Sequence, residues 1–360
     1  MKKGIHILLE FLVFGLTYGG VIVIILTILK LFKKKLTKFV VLLPLCIMGF
    51  LFLLLIIFEF SWDGGYSGLY ILFVYFIGFG IHILFFCCIL LLIFLCVKGI
   101  NKWLGLIIFC GVPILYSLYG FIIPTIIKIE TIELSHPSYN SATPIRILQL
   151  SDVHLGAVHQ KSFVKKIVKK IIENNPDVVV ITGDFFDDSL KVKDNWLEPF
   201  NELELPILFT AGNHDCYYGK KDVVDTAAKF DIIYLNRETY EYKGIRFIGV
   251  DYDEDLDKAL DELKDNLDST MPNVLLLHNP KSPKDLKKYN IFLCLSGHTH
   301  NGQIFPGVLI GRISFECMNG LYESNNTYTY VNSGVGDTFF PMRTFTRSKI
   351  SIITIKQESQ

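Results

Sequence analysis

The stretch of sequence that decides the fold is residues 145–154, which read IRILQLSDVH. The first six form a short and mostly apolar run, as in a buried strand, and Asp152 and His154 follow directly. The next segment, Phe163–Glu173, places apolar residues at helical spacing with lysines on the other face. A strand followed by a helix is how an α/β domain begins.

Further apolar runs of strand length recur along the following 200 or so residues. They predict strands at Asp177–Ile181, Pro206–Thr210, Ile245–Val250, Val274–Leu277, Ile291–Leu295 and Ser348–Ile355. Helical spacing occurs between them at Lys221–Phe230, Leu256–Leu267 and Ser282–Lys288. We therefore predict one layered α/β domain over residues 145–356, preceded by a linker at residues 128–144 that contains Pro137 and Pro144.

Nearly every predicted buried strand ends in a cluster of His, Asp or Asn. The clusters are Asp152-Val153-His154, Gly183-Asp184-Phe185-Phe186-Asp187, Gly212-Asn213-His214-Asp215, His278-Asn279-Pro280 and Gly297-His298-Thr299-His300. Ligands of open α/β sheets bind outside the carboxyl ends of the strands, so the five clusters should converge. Alternate residues of an extended segment point the same way, so Asp152 and His154 can hold one metal. His298 and His300 can do the same if their loop stays extended.

The side chains in these clusters point to metal chemistry at phosphorus. Carboxylate, imidazole and amide oxygen form a mixed O/N set that suits Mn, Fe, Zn or similar ions and differs from a thiolate site. There are more candidate ligands than one ion needs. Two ions about 3.5–4 Å apart would use all of them, and such a pair is the arrangement for in-line displacement at phosphorus. Taken alone, a Gly-Asp pair after a strand is usually a turn or a helix cap. Turns and caps do not explain why all five clusters lie at the ends of predicted strands.

Together the motifs resemble the calcineurin-like metallophosphoesterases over residues 145–356. Residues 297–306 (GHTHNGQIFP) and 331–343 (VNSGVGDTFFPMR) are similar to a membrane-associated bacterial branch, related to the transmembrane proteins with a metallophosphoesterase domain. Members of that branch have been linked to hydrolysis of UDP-2,3-diacylglucosamine. The resemblance implies an αββα-type sandwich and a metal-dependent phosphoric ester hydrolase.

The resemblance also implies roles for individual residues. The first metal would be held by Asp152, His154 and His300, the second by Asn213, His278 and His298, and Asp184 would bridge both. A metal-bridging hydroxide would attack phosphorus while His214 stabilises or protonates the leaving oxygen, with Asp215 orienting His214. Asp187 would have a supporting role beside the ligands. Arg343, in the segment that resembles the family's last loop, would either clamp a phosphate or make a structural contact.

The composition of the first 127 residues differs from that of the rest. The chain has 360 residues, 51% hydrophobic and 19% charged, with a net charge of zero. Nine lysines and three acidic residues fall in residues 1–127, and the remaining 26 basic and 32 acidic residues follow. This division excludes a strongly basic nucleic-acid binder, a disordered chain and a disulfide scaffold, and we expect no nucleic-acid partner.

Four apolar runs of at least 20 residues predict a membrane domain of four transmembrane helices over residues 1–127. The runs cover residues 5–29, 39–58, 70–97 and 103–127. Seven lysines lie in the first and third loops, which favours a cytoplasmic position for these loops and an extracytoplasmic position for the polar domain. The sequence thus predicts a multi-pass protein of the cell membrane.

The predicted function is hydrolysis of a phosphoester or pyrophosphate on a phosphorylated small molecule or a lipid-linked substrate, nucleotide-sugar-linked substrates included. The alternative is a membrane sensor or scaffold whose phosphoesterase fold binds phosphate ligands without turning them over. A pure binding module has little reason to keep Asn213 and His214 together with the full ligand set.

Overall fold

The computed structural model describes residues 78, 80, 85, 86, 88, 89, 93, 102–188 and 190–358. The chain divides into two compact units, Met1–Ile122 with Phe339–Met342 and Ile123–Thr338 with Arg343–Gln360. The first unit contains the helix Lys102–Ile122, which overlaps the predicted span 103–127. In the described residues, no helix combines the length and the apolar character that a bilayer crossing requires. The predicted spans 5–29 and 39–58, and nearly all of 70–97, lie outside the described residues, so the four spans stay a prediction.

The second unit carries two six-stranded sheets in its described residues. The strands are β1 (Lys128–His136), β2 (Ile145–Leu150), β3 (Val178–Thr182), β4 (Ile207–Thr210), β5 (Ile232–Tyr234), β6 (Glu238–Tyr242), β7 (Ile245–Val250), β8 (Asn273–Leu277), β9 (Leu293–Ser296), β10 (Gly320–Ser324), β11 (Thr327–Val331) and β12 (Lys349–Gln357). The helices are Lys161–Asn174, Asn213–Tyr218, Lys220–Ala228, Leu256–Leu263, Pro283–Leu286 and Gly307–Ser314. Short 3-10 turns occur at Ile123–Thr125, Asp194–Trp196, Glu198–Glu202, Lys264–Asn266, Lys287–Tyr289 and His300–Gly302.

Both sheets are mixed. The first has the strand order β1-β12-β2-β3-β4-β5, in which β2 to β5 run parallel and β12 is antiparallel to β2. The second has the order β10-β11-β9-β8-β7-β6, with a parallel centre from β11 to β7 and an antiparallel strand at each edge. The parallel strands of each sheet therefore end at a common edge.

The sheets stack face to face around an apolar core. Ile147, Val180 and Leu208 of the first sheet pack in one cluster with Val274 and Leu295 of the second. The outer face of the first sheet packs on the helix Lys161–Asn174, through residues such as Ile167. The outer face of the second packs on the helix Leu256–Leu263. Helices thus cover two stacked sheets, which confirms the predicted αββα sandwich.

One predicted boundary is wrong. The segment 128–144, predicted as a linker, contributes β1, which pairs in parallel with β12 from Lys128↔Lys349 to His136↔Gln357. The reason is that β1 is an edge strand with a largely exposed alternating pattern, of which only Leu134 is buried. Such a strand lacks the continuous apolar run that identifies the central strands. The connection that remains from the predicted linker is residues 137–144.

Candidate metal centre

The clusters of Asp, His and Asn lie together at one edge of the sandwich. Asp152 and Asp184 follow β2 and β3, and Asn213 follows β4, three neighbouring parallel strands of the first sheet. His278 and His298 follow β8 and β9, which are parallel neighbours in the second sheet. Because all five strands end at this edge, residues far apart in the sequence come into contact, such as Asp152 and His300, which are 148 positions apart. The predicted convergence is present in the structure.

A first group of ligand atoms forms around His300. Its Nε2 lies 3.2 Å from Asp152 Oδ1 and 3.1 Å from His154 Nε2. His154 Nε2 is in turn 3.7 Å from Asp184 Oδ2. Asp152 and His154 are at most 1% exposed and His300 is 4% exposed. These are the residues predicted to hold the first metal.

A second group forms around His278. Its Nε2 lies 3.1 Å from Asn213 Oδ1, 3.2 Å from His298 Nδ1 and 3.1 Å from Asp184 Oδ2. The His278 Nδ1 atom lies 2.9 Å from the carbonyl oxygen of Thr182, which fixes the ring with Nε2 directed into the group. Asp184 Oδ2 therefore belongs to both groups, as a bridging carboxylate would.

The spacing of these atoms fits two divalent ions. Ligand atoms bound at about 2.0–2.2 Å and roughly 90° to 110° apart at the metal lie about 2.8–3.6 Å from each other. Five of the six distances within the groups are 3.1–3.2 Å, and the sixth, from His154 Nε2 to Asp184 Oδ2, is slightly longer at 3.7 Å. The donors are imidazole nitrogens, carboxylate oxygens and an amide oxygen, a set suited to Mn, Fe or Zn. The residues present therefore fit a pair of divalent cations, whose identity the geometry leaves open.

The backbone conformation of the candidate ligands differs from the extended one that the sequence suggested. Asp152 and His154 have φ values of 52° and 50°, and His298 and His300 have 70° and 47°. These residues are in the left-handed region and are not extended, and His298 and His300 enter different groups. Asp152 and His154 do lie in one group, but the alternation of an extended strand is not what brings them together. Asp184 shares this conformation, with φ 51°, and such strained positions cluster at functional sites.

Glycines allow the close approach of these segments. A Cβ atom at Gly297 would lie 1.8 Å from Ser151 Oγ and 2.3 Å from Asp152 Oδ2. One at Gly212 would lie 2.2 Å from Asp184 Oδ1. A side chain at either position would thus displace a ligand, which explains why glycine precedes both the Asn213 and the His298 ligands.

The electrostatics of the centre favour ionised carboxylates. Burial alone would raise the pKa of Asp184, but the charge and hydrogen bond of His278 lower it. Burial would likewise raise the pKa of Asp152, and His300 lowers it. The same pairing raises the pKa of His278 to about 9, although burial opposes this. Both carboxylates are therefore available as anionic ligands, and a cation would take the place of the His278 proton.

His214 lies beside the centre with two carboxylates. Its Nδ1 is 3.4 Å from Asp188 Oδ1 and 3.7 Å from Asp187 Oδ1, and its ring centroid is 4.8 Å from that of His154. Burial alone would lower the pKa of His214, but Asp187 and Asp188 raise it well above its usual value. The two carboxylates thus favour the protonated imidazole, which suits a proton donor.

The predicted role of Asp215 is wrong. Its carboxylate accepts hydrogen bonds from the backbone N–H groups of Gly212 (2.8 Å), Phe186 (2.8 Å) and Phe185 (3.2 Å). These bonds tie the loop that carries Asp184 to the start of the helix Asn213–Tyr218. Asp215 is the third residue of this helix, and its side chain turns back toward the helix start. Asp187 and Asp188 are therefore the carboxylates beside His214.

Arg343 does not face a phosphate site, so the prediction of a phosphate clamp is wrong. Its side chain is fully buried and donates to Asp337 Oδ1 (2.7 Å) and to the carbonyl oxygens of Ser333 (2.8 Å) and Gly336 (2.5 Å). Nη2, the nitrogen that donates to Gly336, also lies 3.2 Å from His300 Nδ1. Arg343 therefore makes the structural contact that was its alternative role, behind a metal ligand.

Several residues at the centre were missed in the sequence. Ser151 Oγ donates to Asp152 Oδ2 at 2.6 Å, which leaves Oδ1 directed at the first group. The rings of Tyr217, Tyr252 and Phe315 lie against the site histidines. The sequence contained a sign that two of them lie near the centre. Tyr217 is one helical turn after His214, and Tyr252 follows β7, the parallel neighbour of β8.

Comparison with known proteins agrees with the resemblance seen in the motifs. A family model of calcineurin-like phosphoesterases matches residues 145–302. An uncharacterized metallophosphoesterase of Aquifex aeolicus is 31% identical over 257 residues, covering 68% of this chain and 98% of that protein. One from Helicobacter pylori strain J99 is 34% identical over 229 residues, covering 60% of this chain and 61% of the relative.

A further relative is a transmembrane protein with metallophosphoesterase domain from Danio rerio. It is 33% identical over 243 residues, which cover 60% of this chain and 54% of the relative. The chain thus spans between half and two thirds of the length of the Danio and Helicobacter proteins.

Proposed function

Because the chain belongs to the calcineurin-like metallophosphoesterases, a family of metal-dependent phosphoric ester hydrolases, we propose that it hydrolyses a phosphoester or pyrophosphate at a two-metal centre. The observation that carries this proposal is the pair of ligand groups that share Asp184 Oδ2. The first ion would be held by Asp152, His154 and His300, and the second by Asn213, His278 and His298.

The chemistry supplied by two bound divalent ions is polarisation of the phosphoryl oxygens and acidification of water. The protein's own residues supply the arrangement around them. Asp184 joins the two groups and, through Oδ1, accepts the backbone N–H of His214 at 2.8 Å. This bond sets the position of the imidazole relative to the centre, so that binding and proton donation occur at one place.

His214 is the proposed acid. Asp187 and Asp188 lie on its Nδ1 side, so Nε2 is the ring nitrogen that would donate to the leaving oxygen. A pure binding module gains nothing from two carboxylates that raise the pKa of a histidine next to the ligand groups. Catalysis is therefore better supported than the sensor or scaffold alternative.

The acid role predicts a dependence on the leaving group. His214→Asn should lower kcat by about 100-fold for methyl phenyl phosphate, whose phenolate needs a proton. The loss should be much smaller for methyl p-nitrophenyl phosphate, because p-nitrophenolate leaves readily without one. Release of each phenol by Mn-loaded full chain is measured by absorbance, with His136→Asn, in β1, as the control histidine. Equal losses on both substrates would contradict the assignment.

The natural substrate that we propose is a phosphorylated small molecule or a lipid-linked phosphate at a cell membrane. The support for membrane association is the naming of the Danio rerio relative as a transmembrane protein, together with the four apolar runs in residues 1–127. The distribution of lysines favours a multi-pass protein with the catalytic domain outside the cytoplasm.

This orientation predicts the behaviour of reporter fusions. An alkaline phosphatase reporter fused after Gln360 should be active, because that enzyme requires an extracytoplasmic environment to form its disulfides. The same reporter fused after Lys35, in the first lysine-rich loop, should be inactive. An active loop fusion together with an inactive C-terminal fusion would show that the orientation is the opposite of the predicted one.

A further inference from the structure

The helix Gly307–Ser314 exposes its large apolar side chains. Leu309, Ile310 and Ile313 are 49%, 64% and 89% exposed, and we call these three residues the apolar surface. The helix Lys161–Asn174, by contrast, buries four apolar residues, as helices at the surface of a domain ordinarily do. A helix that turns its large apolar residues outward indicates a surface that binds something apolar.

The opposite face of the same helix is small and packs closely on the domain. Gly311 is its buried residue, and a Cβ atom there would lie 2.3 Å from Met318 Cε. The carbonyl oxygen of Met318 accepts a hydrogen bond from Thr299 Oγ1 at 2.6 Å. Since Thr299 stands between His298 and His300, the helix is attached to the segment that carries two of the candidate ligands.

The chain enters the catalytic domain through a short connection. Only residues 123–127 separate the helix Lys102–Ile122 from β1, and five residues reach at most about 17 Å when extended. The connection is fixed to Ser348, whose Oγ donates to the Pro124 carbonyl oxygen at 3.0 Å and whose carbonyl oxygen accepts the Lys128 N–H at 2.9 Å. With the fourth predicted span in the bilayer, so short a connection would hold this attachment point at the membrane surface.

The attachment point lies at the same end of the sandwich as the apolar surface. β12 begins directly after Ser348 and runs antiparallel to β2, so it starts at the edge that carries the metal centre. Phe345, three residues before Ser348, has its ring centroid 5.5 Å from that of Phe305, which is two residues before the helix Gly307–Ser314. The edge of the domain held at the membrane would therefore be the edge with the apolar surface.

The charge and the size of this surface favour lipid over a protein partner. The helix has one charged residue, the exposed Arg312, and no acidic residue. Apolar side chains beside a cation suit the boundary between acyl chains and anionic headgroups. A stable interface between two proteins buries roughly 800 Å² on each partner, which is more than three side chains provide.

We propose that Leu309, Ile310 and Ile313 insert into the surface of the lipid bilayer and hold the metal centre beside the lipid headgroups. This inference rests on the membrane location given under the proposed function. It goes beyond that location, because it gives the catalytic domain its own contact with lipid in addition to the predicted spans. Phe315 directly follows the helix, and its ring centroid is 5.8 Å from that of His298, so the inserted helix lies next to the second ligand group.

Site-specific photo-cross-linking tests the lipid contact. Ile313 is replaced by p-benzoylphenylalanine in the full chain, which is reconstituted into vesicles of phosphatidylcholine and phosphatidylglycerol and irradiated. Mass spectrometry should show lipid adducts on the peptide that contains position 313. Ile172 is the matched control, since it is a 53% exposed helical isoleucine close before β3, at the end of the sandwich opposite the centre. The same replacement there should give at least about 5-fold fewer lipid adducts.

Aspartate variants test whether insertion depends on the apolar side chains. With p-benzoylphenylalanine in place of Ile310, the pair Leu309→Asp and Ile313→Asp should lower the yield of lipid adducts at least about 5-fold, because charged side chains are costly in hydrocarbon. Hydrolysis of soluble bis(p-nitrophenyl) phosphate by the Mn-loaded Leu309→Asp, Ile313→Asp chain should stay within a few-fold of wild type. That result would show that the variant is folded and that its metal centre is intact.

The outcomes separate the lipid contact from the proposed hydrolysis. Adducts to protein in place of lipid at position 313, or equal lipid adducts at positions 313 and 172, would overturn the inference. Turnover of the soluble substrate in those experiments would leave the proposed function standing. Lipid adducts at position 313 in a chain that hydrolyses no phosphoester would instead contradict the proposed function. A chain that does not float with the vesicles would contradict both the membrane location and the lipid contact.

Discussion

Asp184→Asn is expected to reduce kcat/KM of the metal-loaded protein by about 1000-fold or more. The asparagine has nearly the same shape and can still accept the backbone N–H of His214 through Oδ1. It lacks the negative charge that both ligand groups share at Oδ2. Losing the joint ligand of the proposed two-metal centre would remove several kcal/mol of transition-state stabilisation, and each 1.36 kcal/mol is a factor of ten.

The control for this variant is Asp177→Asn at the opposite end of β3. Asp177 accepts the backbone N–H of Arg146 at 2.8 Å and pairs with Lys243, far from the centre. Turnover of bis(p-nitrophenyl) phosphate should be within a few-fold of wild type in this control. Circular dichroism should show both variants folded. Undiminished turnover in a folded Asp184→Asn protein would contradict the proposed mechanism.

Arg343→Met is expected to lower the free energy of unfolding by about 3–5 kcal/mol. The guanidinium is fully buried, and its removal leaves the carboxylate of Asp337, 5% exposed, without its 2.7 Å partner. The carbonyl oxygens of Ser333 and Gly336 lose their donors as well. An uncompensated buried charge and unpaired carbonyls together place this effect among the largest for a single substitution.

The pH dependence of the free energy of unfolding tests whether the buried carboxylate of Asp337 causes that loss. Burial alone would raise the pKa of Asp337, but Arg343 and His159 lower it. A lowered pKa in the folded state stabilises the protein above the unfolded value of about 3.9, and this contribution disappears as the pH falls through the folded pKa. The difference between wild type and Arg343→Met should therefore be largest near pH 7 and shrink below about pH 4.

Urea unfolding of the full chain, followed by tryptophan fluorescence at pH 7 and at pH 3.5, measures both effects. Arg347→Met is the control, since Arg347 is exposed, and should change stability by less than about 0.5 kcal/mol. The double variant Arg343→Met with Asp337→Asn should lose less than the single variant, because the buried charge is absent. A loss of equal size at both pH values would point to packing alone.

The place of the centre could be predicted from the sequence because it depends on topology. Parallel strands β2, β3 and β4, and likewise β8 and β9, end at one edge, so residues that directly follow apolar runs must meet there. The assignment of individual residues to the two metals came from the family resemblance. Asp152, Asp184 and His278 each lie within two residues of a strand end.

The finer arrangement could not be predicted, since it depends on dihedral angles and on side-chain direction. The positive φ values at His298 and His300 direct neighbouring ligands into different groups. The family resemblance assigned Asp215 to His214, whereas consecutive residues of a helix do not face each other. β1 was missed because an exposed edge strand has no continuous apolar run.

The measurement that tests the central claim most directly is the metal stoichiometry of the full chain. Titration of chelator-treated protein with Mn, followed by calorimetry and by hydrolysis of bis(p-nitrophenyl) phosphate, should show two ions bound per chain. Activity should appear only as the second ion binds. A single ion at saturation, or full activity in the chelator-treated protein, would contradict a centre in which Asp184 joins two metal ions.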